Sequence, residues 1–161
     1  DLHELHDFLE ARRPQQGPAR VGHGDYGLHN CLVNPDGELT AVLDWEISTL
    51  GDPMADFAYA LNTWAEPGDE LVNKENAPTL AEGFLGRAEL IDRYAAQTGC
   101  DLTDLPYYIS FNHFKSACII HGVYARYMQG QKSTDGVDLD YYRSRIGICI
   151  ELSKQAADEL E

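Results

Sequence analysis

Apolar residues recur along most of this chain at the spacing of helices, and in one stretch at the spacing of strands. Leu2, Leu5, Phe8 and Leu9 share one helical face, which predicts a helix over 2–13 ended by Pro14. Residues 31–33 (CLV) and 39–43 (LTAVL) are β-prone runs on either side of Asn34-Pro35-Asp36-Gly37, a reversal signal, and together they predict an antiparallel hairpin. Asp52-Pro53 then offers an N-cap acid with Pro at the first helical position. Met54, Phe57, Ala58 and Leu61 follow at i, i+3, i+4 and i+7 and mark the buried face of that helix. Leu90, Ile91, Tyr94 and Ala95 define another helix, which Gly99 ends. Pro106 opens a long one, apolar at Tyr108, Phe111, Ala117, Cys118 and Val123 and running to about Gly130. The last, marked by Leu139, Tyr142, Ile146, Cys149, Ile150 and Ala157, follows a polar turn over 133–138. Residues 15–20 read as a Pro/Gly loop, and 66–78 as an irregular polar loop long enough to be functional. Trp45 and Ile47, just beyond the hairpin, read as core or adenine-side packing, with the core the expectation. The fold class is therefore α+β, mainly α, with four or five helices around one β-hairpin and no internal repeat.

Composition narrows the partners. With 161 residues, 43% of them hydrophobic and 24% charged, the chain is long and apolar enough for one globular domain with a core. A net charge of −15 argues against nucleic acid or an anionic membrane as a partner, and suits a cationic acceptor only weakly, since acidic surfaces are commonly just solvated. Cys31, Cys100, Cys118 and Cys149 are scattered and unpaired in sequence, so they read as reduced and mostly buried thiols. Neither a membrane-length apolar run nor a signal peptide is visible, and a cytoplasmic location is the expectation.

The candidate chemistry is concentrated in residues 21–58. HGDYGLHN (23–30) holds an Asp and an Asn separated by four residues, as in the catalytic loop of phosphoryl-transfer enzymes of the protein-kinase type. The hairpin should return the chain so that Asp44 lies near Asn30. An amide oxygen and a carboxylate there are hard ligands suited to Mg²⁺, and Asp25, one loop away, can take the proton of an attacking hydroxyl. Two other readings compete. Residues 22–27 also match G-x-G-x-x-G, with Asp44 near the ribose-acid position, but a dinucleotide fingerprint must open a helix and here a β-prone run follows. His23, Asp25, His29 and Asp44 could instead surround the transition metal of a hydrolase, although no H-x-H or H-E-x-x-H pattern is present. His113 and His121, eight apart on the long helix, read as packing residues and receive no role. Glu66, Asp69 and Glu70 could face an acceptor or simply be solvated.

HGDYGLHN, VLDWE and GDPMADFAY, in that order, resemble the aminoglycoside phosphotransferase and choline kinase family, which shares the protein-kinase fold. More narrowly, LDWEISTLGDPMADFAY resembles the phosphotransferase domains associated with acyl-CoA dehydrogenases, and a weaker likeness runs through YAAQTG (94–99) and the helices beyond. The resemblance implies Mg²⁺ and ATP as cofactors, Asp25 as catalytic base and Asn30 and Asp44 as metal ligands. It makes His23 and Asp56 supports of the loop: His23 orients it, and Asp56 caps its amides from a helix start. It further implies that 1–161 is a single domain, the C-terminal, acceptor-binding lobe of a kinase-like enzyme, with most of the nucleotide site in a small N-terminal lobe that residues before His23 cannot supply. The expected function is ATP-dependent phosphorylation of a small-molecule hydroxyl, on an aminosugar, an amino alcohol or a hydroxyacyl thioester. The alternative is a non-catalytic kinase-like binding module. A surface around helix 2–13 and the hairpin, left uncovered in the isolated chain, should favour self-association.

Overall fold

A 24-residue helix, α4 (Leu105–Met128), is the spine on which the other helices are laid in this computed structural model, which describes residues 2–69 and 77–160. Its partner α5 (Leu139–Ala157) comes close enough for two buried serines to bond across the interface. Ser110 Oγ donates to the Ser153 carbonyl at 2.8 Å, and Ser153 Oγ to the Ser110 carbonyl at 2.7 Å. Small side chains allow that approach, and the reciprocal bonds remove the cost of burying hydroxyls. Cys118, expected to be buried, is exposed instead. It lies one residue, about 100° of helix, past fully buried Ala117, and so points off the packed face.

The expected N-cap holds: Asp52 Oδ1 accepts from the Met54 amide at 2.9 Å and starts α2 (Pro53–Asn62). Met54, Phe57, Ala58 and Leu61 of α2 form one core with Leu105, covered by Leu90, Ile91 and Tyr94 of α3 (Arg87–Thr98). Phe57 stacks on Tyr94 with ring centres 3.8 Å apart. Burying such a side chain contributes about 1.5–3 kcal/mol. Asn112, inside α4, donates to the Ala55 carbonyl at 2.8 Å and pins α2 across it.

Helix α1 (Leu2–Ala11) ends two residues earlier than expected and does not belong to an uncovered surface. Leu5 and Leu9 are buried against Tyr107 of α4, with Phe111 and Phe114 alongside. Glu66 and Asp69, read as acceptor-facing or simply solvated, both bind the start of α3. Glu66 accepts from the Arg87 amide at 2.7 Å and from its Nε at 2.9 Å, and Asp69 accepts from Arg87 Nη2 at 2.6 Å. Glu70 lies outside the described residues.

The predicted hairpin is present as β2 (Cys31–Val33) and β3 (Leu39–Val42), with Cys31 opposite Val42. Its turn is built by Asn34, whose Oδ1 accepts from the amides of Asp36 and Glu38, and by Gly37 at φ +83°. A second antiparallel pair, β1 (Arg20–Gly22) with β4 (Thr49–Gly51), was not expected, since strands of three residues carry no readable alternation. Trp45 and Ile47 are not core: they are 50% and 55% exposed, as are the apolar pairs Val21 and Leu50 of one sheet and Val33 and Leu39 of the other to a similar or greater degree. The hairpin pairs chiefly with itself, and cover over these side chains is partial: Trp45 lies against the His23 ring, with centres 4.8 Å apart, and the Ile47 side chain lies against Gly24. No helix among the described residues is long and apolar enough to cross a membrane.

Candidate active site

Residues 23–30 hang between the two small sheets and are fixed from α2. Asp56, in the first turn of that helix, accepts from the amides of His23 and, at 2.8 Å, Gly24. Gly24 has to be glycine: its φ is +88°, and a Cβ there would lie 3.0 Å from the Ile47 carbonyl oxygen. His23 is 2% exposed, and its ring is bonded on both nitrogens. Nε2 bonds the Leu43 carbonyl at 2.6 Å, which only accepts, so Nε2 carries the proton. Nδ1 then accepts from the Asp25 amide at 3.3 Å. His23 thereby ties the loop to the end of the hairpin and has no nitrogen left for a metal, which removes the hydrolase arrangement. Among the described residues no group of three or more His, Cys, Asp or Glu side chains is placed to hold one.

Asp25 and Asn30 are in direct contact. Asn30 Nδ2 donates to the Asp25 carbonyl at 2.9 Å and to its carboxylate at 3.3 Å. His29 Nε2 lies 3.4 Å from the same carboxylate oxygen, and the Tyr59 hydroxyl donates to that carboxylate. Partial burial opposes ionisation of Asp25, but the bonds from Tyr59, His29 and Asn30 and the field of His29 outweigh it and hold the carboxyl below its usual range. Burial first, then the Asp25 charge, pushes the Tyr59 hydroxyl up, so it stays a donor.

With its amide nitrogen committed to Asp25, Asn30 has its amide oxygen for a cation. Its carbonyl accepts from the Leu43 amide at 2.8 Å, which sets Asp44 one residue away. Asp44 sits at φ 60°, ψ 47°, the one non-glycine residue with positive φ among those described. That conformation costs roughly 1–2 kcal/mol, least for Asp and Asn, and gives the chain its sharp exit from the hairpin. Asp25 and Asn30 are thus in contact, the bond from Leu43 brings the backbone of Asp44 beside Asn30, and His23 and Asp56 brace the loop.

Beside the loop, a cleft of about 840 Å³ runs between residues 26–29, α2 and α3, with Tyr26, Leu28, Trp64, Arg93 and Tyr94 in its walls. Asp56 is the lone carboxylate among its described lining residues. Two residues of the site escaped the reading of the sequence. Tyr59 could have been found, being three positions after Asp56 on the same helical face. Lys115 could not: its Nζ donates to the Gly24 carbonyl at 3.0 Å from 91 residues away. His113 and His121 lie outside the site. His121 is exposed, while burial, then the fields of Arg145 and Arg87, push His113 down to about 4.

Residues 1–99 match the family described as the phosphotransferase enzyme family. The chain is similar to acyl-CoA dehydrogenase family member 10 of Mus musculus, 35% identical over 144 residues covering 83% of this chain and 13% of that protein. It is also similar to family member 11 of Gallus gallus, 35% identical over 128 residues, 76% of this chain and 16% of that one. This chain therefore spans less than a fifth of the curated relatives it matches. Among solved structures it is similar to one titled as an aminoglycoside phosphotransferase of Ralstonia eutropha JMP134, with a TM-score of 0.72 and 30% identity, over 96% of this chain and 49% of that one.

Proposed function

This chain belongs to the phosphotransferase enzyme family, and on that premise we propose that it carries the catalytic and metal-holding part of an ATP-dependent enzyme that phosphorylates a small-molecule hydroxyl. The observation that carries the reading is the contact between Asp25 and Asn30, with Asn30 bonded to the residue before Asp44. Asp25 orients the acceptor hydroxyl and takes its proton as the new O–P bond forms and the bond from the γ-phosphorus of ATP to its bridging oxygen breaks, releasing ADP. The Asn30 amide oxygen and the Asp44 carboxylate would hold Mg²⁺, which when bound neutralises phosphate charge. His23 and Asp56 keep the loop in shape and touch no reacting atom. In finer terms, the reading makes these residues the kinase-like C-terminal lobe. Alignment with 49% of the structural neighbour is the share that one lobe of two would take.

The cleft favours one acceptor class. A cationic aminosugar, with its several ammonium groups, calls for free carboxylates, yet Asp56 has both oxygens on loop amides and the remaining described walls are largely apolar and aromatic. An apolar hydroxyl compound such as a hydroxyacyl thioester fits better, and the names of the similar proteins, acyl-CoA dehydrogenase family members, agree with it. The test gives the full-length protein labelled ATP and Mg²⁺ with kanamycin, choline or a hydroxyacyl thioester in turn. Label on the thioester hydroxyl is expected. Transfer to kanamycin or choline alone would overturn the acceptor assignment, and transfer to none would overturn the catalytic reading in favour of a binding module.

A further inference from the structure

The peptide that joins Gly24 to Asp25 is held at both ends. Its amide donates to His23 Nδ1 at 3.3 Å, and its carbonyl accepts from Lys115 Nζ at 3.0 Å. Glycine at φ +88° has little resistance of its own to rotation of the following peptide, so whatever grips that carbonyl decides where Asp25 points. Asp56 cannot do it, because it holds the amides on the other side. The same ammonium lies 4.8 Å from the centre of the Tyr59 ring, and the Tyr59 hydroxyl donates to the Asp25 carboxylate. One cation on α4 therefore contacts both the backbone that carries Asp25 and the side chain that aims it.

We propose that Lys115 is a positioning residue for phosphoryl transfer, fixing Asp25 through the Gly24 carbonyl and the Tyr59 ring and so linking the long helix to the site. The proposal rests on the reading of Asp25 as the base. An ammonium on a carbonyl is a charge-assisted bond, roughly twice as strong as a neutral one, and this one is partly shielded from water. Lys115 also differs from His23 and Asp56 in lying far outside residues 21–58, so its effect on the loop depends on α4 being docked.

The test compares Lys115→Met, Lys115→Arg, Tyr59→Phe and the Met/Phe double variant in the full-length protein, with Mg·ATP and the hydroxyacyl thioester. Lys115→Met keeps the stem and removes the charge. It should lower kcat by roughly ten- to a hundredfold, the penalty of a base displaced by about 1 Å, while the KM for Mg·ATP stays within about twofold. Lys115→Arg, which can still donate to the carbonyl and lie on the ring, should restore most of the loss. The double variant should fall little below the worse single one, because both act through Asp25. Hydrogen exchange at the Asp25 amide should quicken in Lys115→Met while α4 stays protected. Wild-type kcat in Lys115→Met, no rescue by Arg, or unchanged exchange at Asp25 would each overturn the proposal. Should the wild type transfer phosphate to nothing, the catalytic reading fails by itself, and the exchange measurement still decides whether Lys115 holds the loop.

Discussion

Asn30 and Asp44 offer a cation the same kind of atom but not the same charge. A carboxylate contributes Coulomb attraction that a neutral amide lacks, so Asp44→Ala should weaken Mg·ATP binding more than Asn30→Ala, measured by calorimetry. Asn30→Ala should in turn cost turnover even at saturating Mg·ATP, since its amide also holds Asp25. Equal binding losses, or full turnover in Asn30→Ala, would contradict this. His113 gives a second expectation, on stability. Its folded pKa of about 4 lies below the ordinary 6.5, so the folded state disfavours the charged form. Stability should be full above pH 6.5 and fall as pH drops from there toward 4, by at most about 3 kcal/mol. His113→Gln should flatten that segment of the denaturation-versus-pH curve by one proton, and an unchanged slope would show that His113 titrates normally. At this scale the sequence revealed residues whose spacing along one turn or hairpin is itself the signal, such as Asp25 with Asn30. Lys115 was invisible because its partner lies 91 positions away and a lone lysine on a helix reads as solvated.

The start of α2 carries two jobs, and they can be separated. Asp52 caps the helix itself, whereas Asp56 caps the loop. Asp56→Ala leaves two amides, one on buried His23, without their charged acceptor, at a cost of about 3 kcal/mol. That corresponds to a fall in Tm of roughly 6–12 °C for a domain of this size. A melt like that of the wild type with activity gone would place Asp56 in the chemistry instead. Elements with several turns, such as α2, α4 and α5, were legible because their apolar positions repeat often enough to fix a face. β1 and β4 were not, having three residues each, and their pairing depends on the hairpin folding back between them. Trp45 and Ile47 misled because hydrophobicity says that a side chain wants cover without saying that cover is present.

Across the whole molecule, helices bury one another well while the sheets keep an apolar face in water, with Val21 and Leu50 about 70% exposed. At roughly 25 cal/mol per Å², several hundred Å² of such surface is enough to draw copies together. The net charge of −15 opposes this until salt screens it. Light scattering on the 161-residue chain should therefore show association that rises with ionic strength and is lost in Val33→Lys/Leu39→Lys. A salt-independent monomer would contradict it. Residues 23–30 are expected to carry out phosphoryl transfer with Asp25 as the base. The most direct measurement is single-turnover transfer from labelled Mg·ATP in the full-length protein, wild type against Asp25→Asn, with nucleotide affinity and melting temperature matched. The expected result is a rate lower by about 10² to 10⁴ in Asp25→Asn, with binding and fold intact. Equal rates in the two proteins would contradict the account.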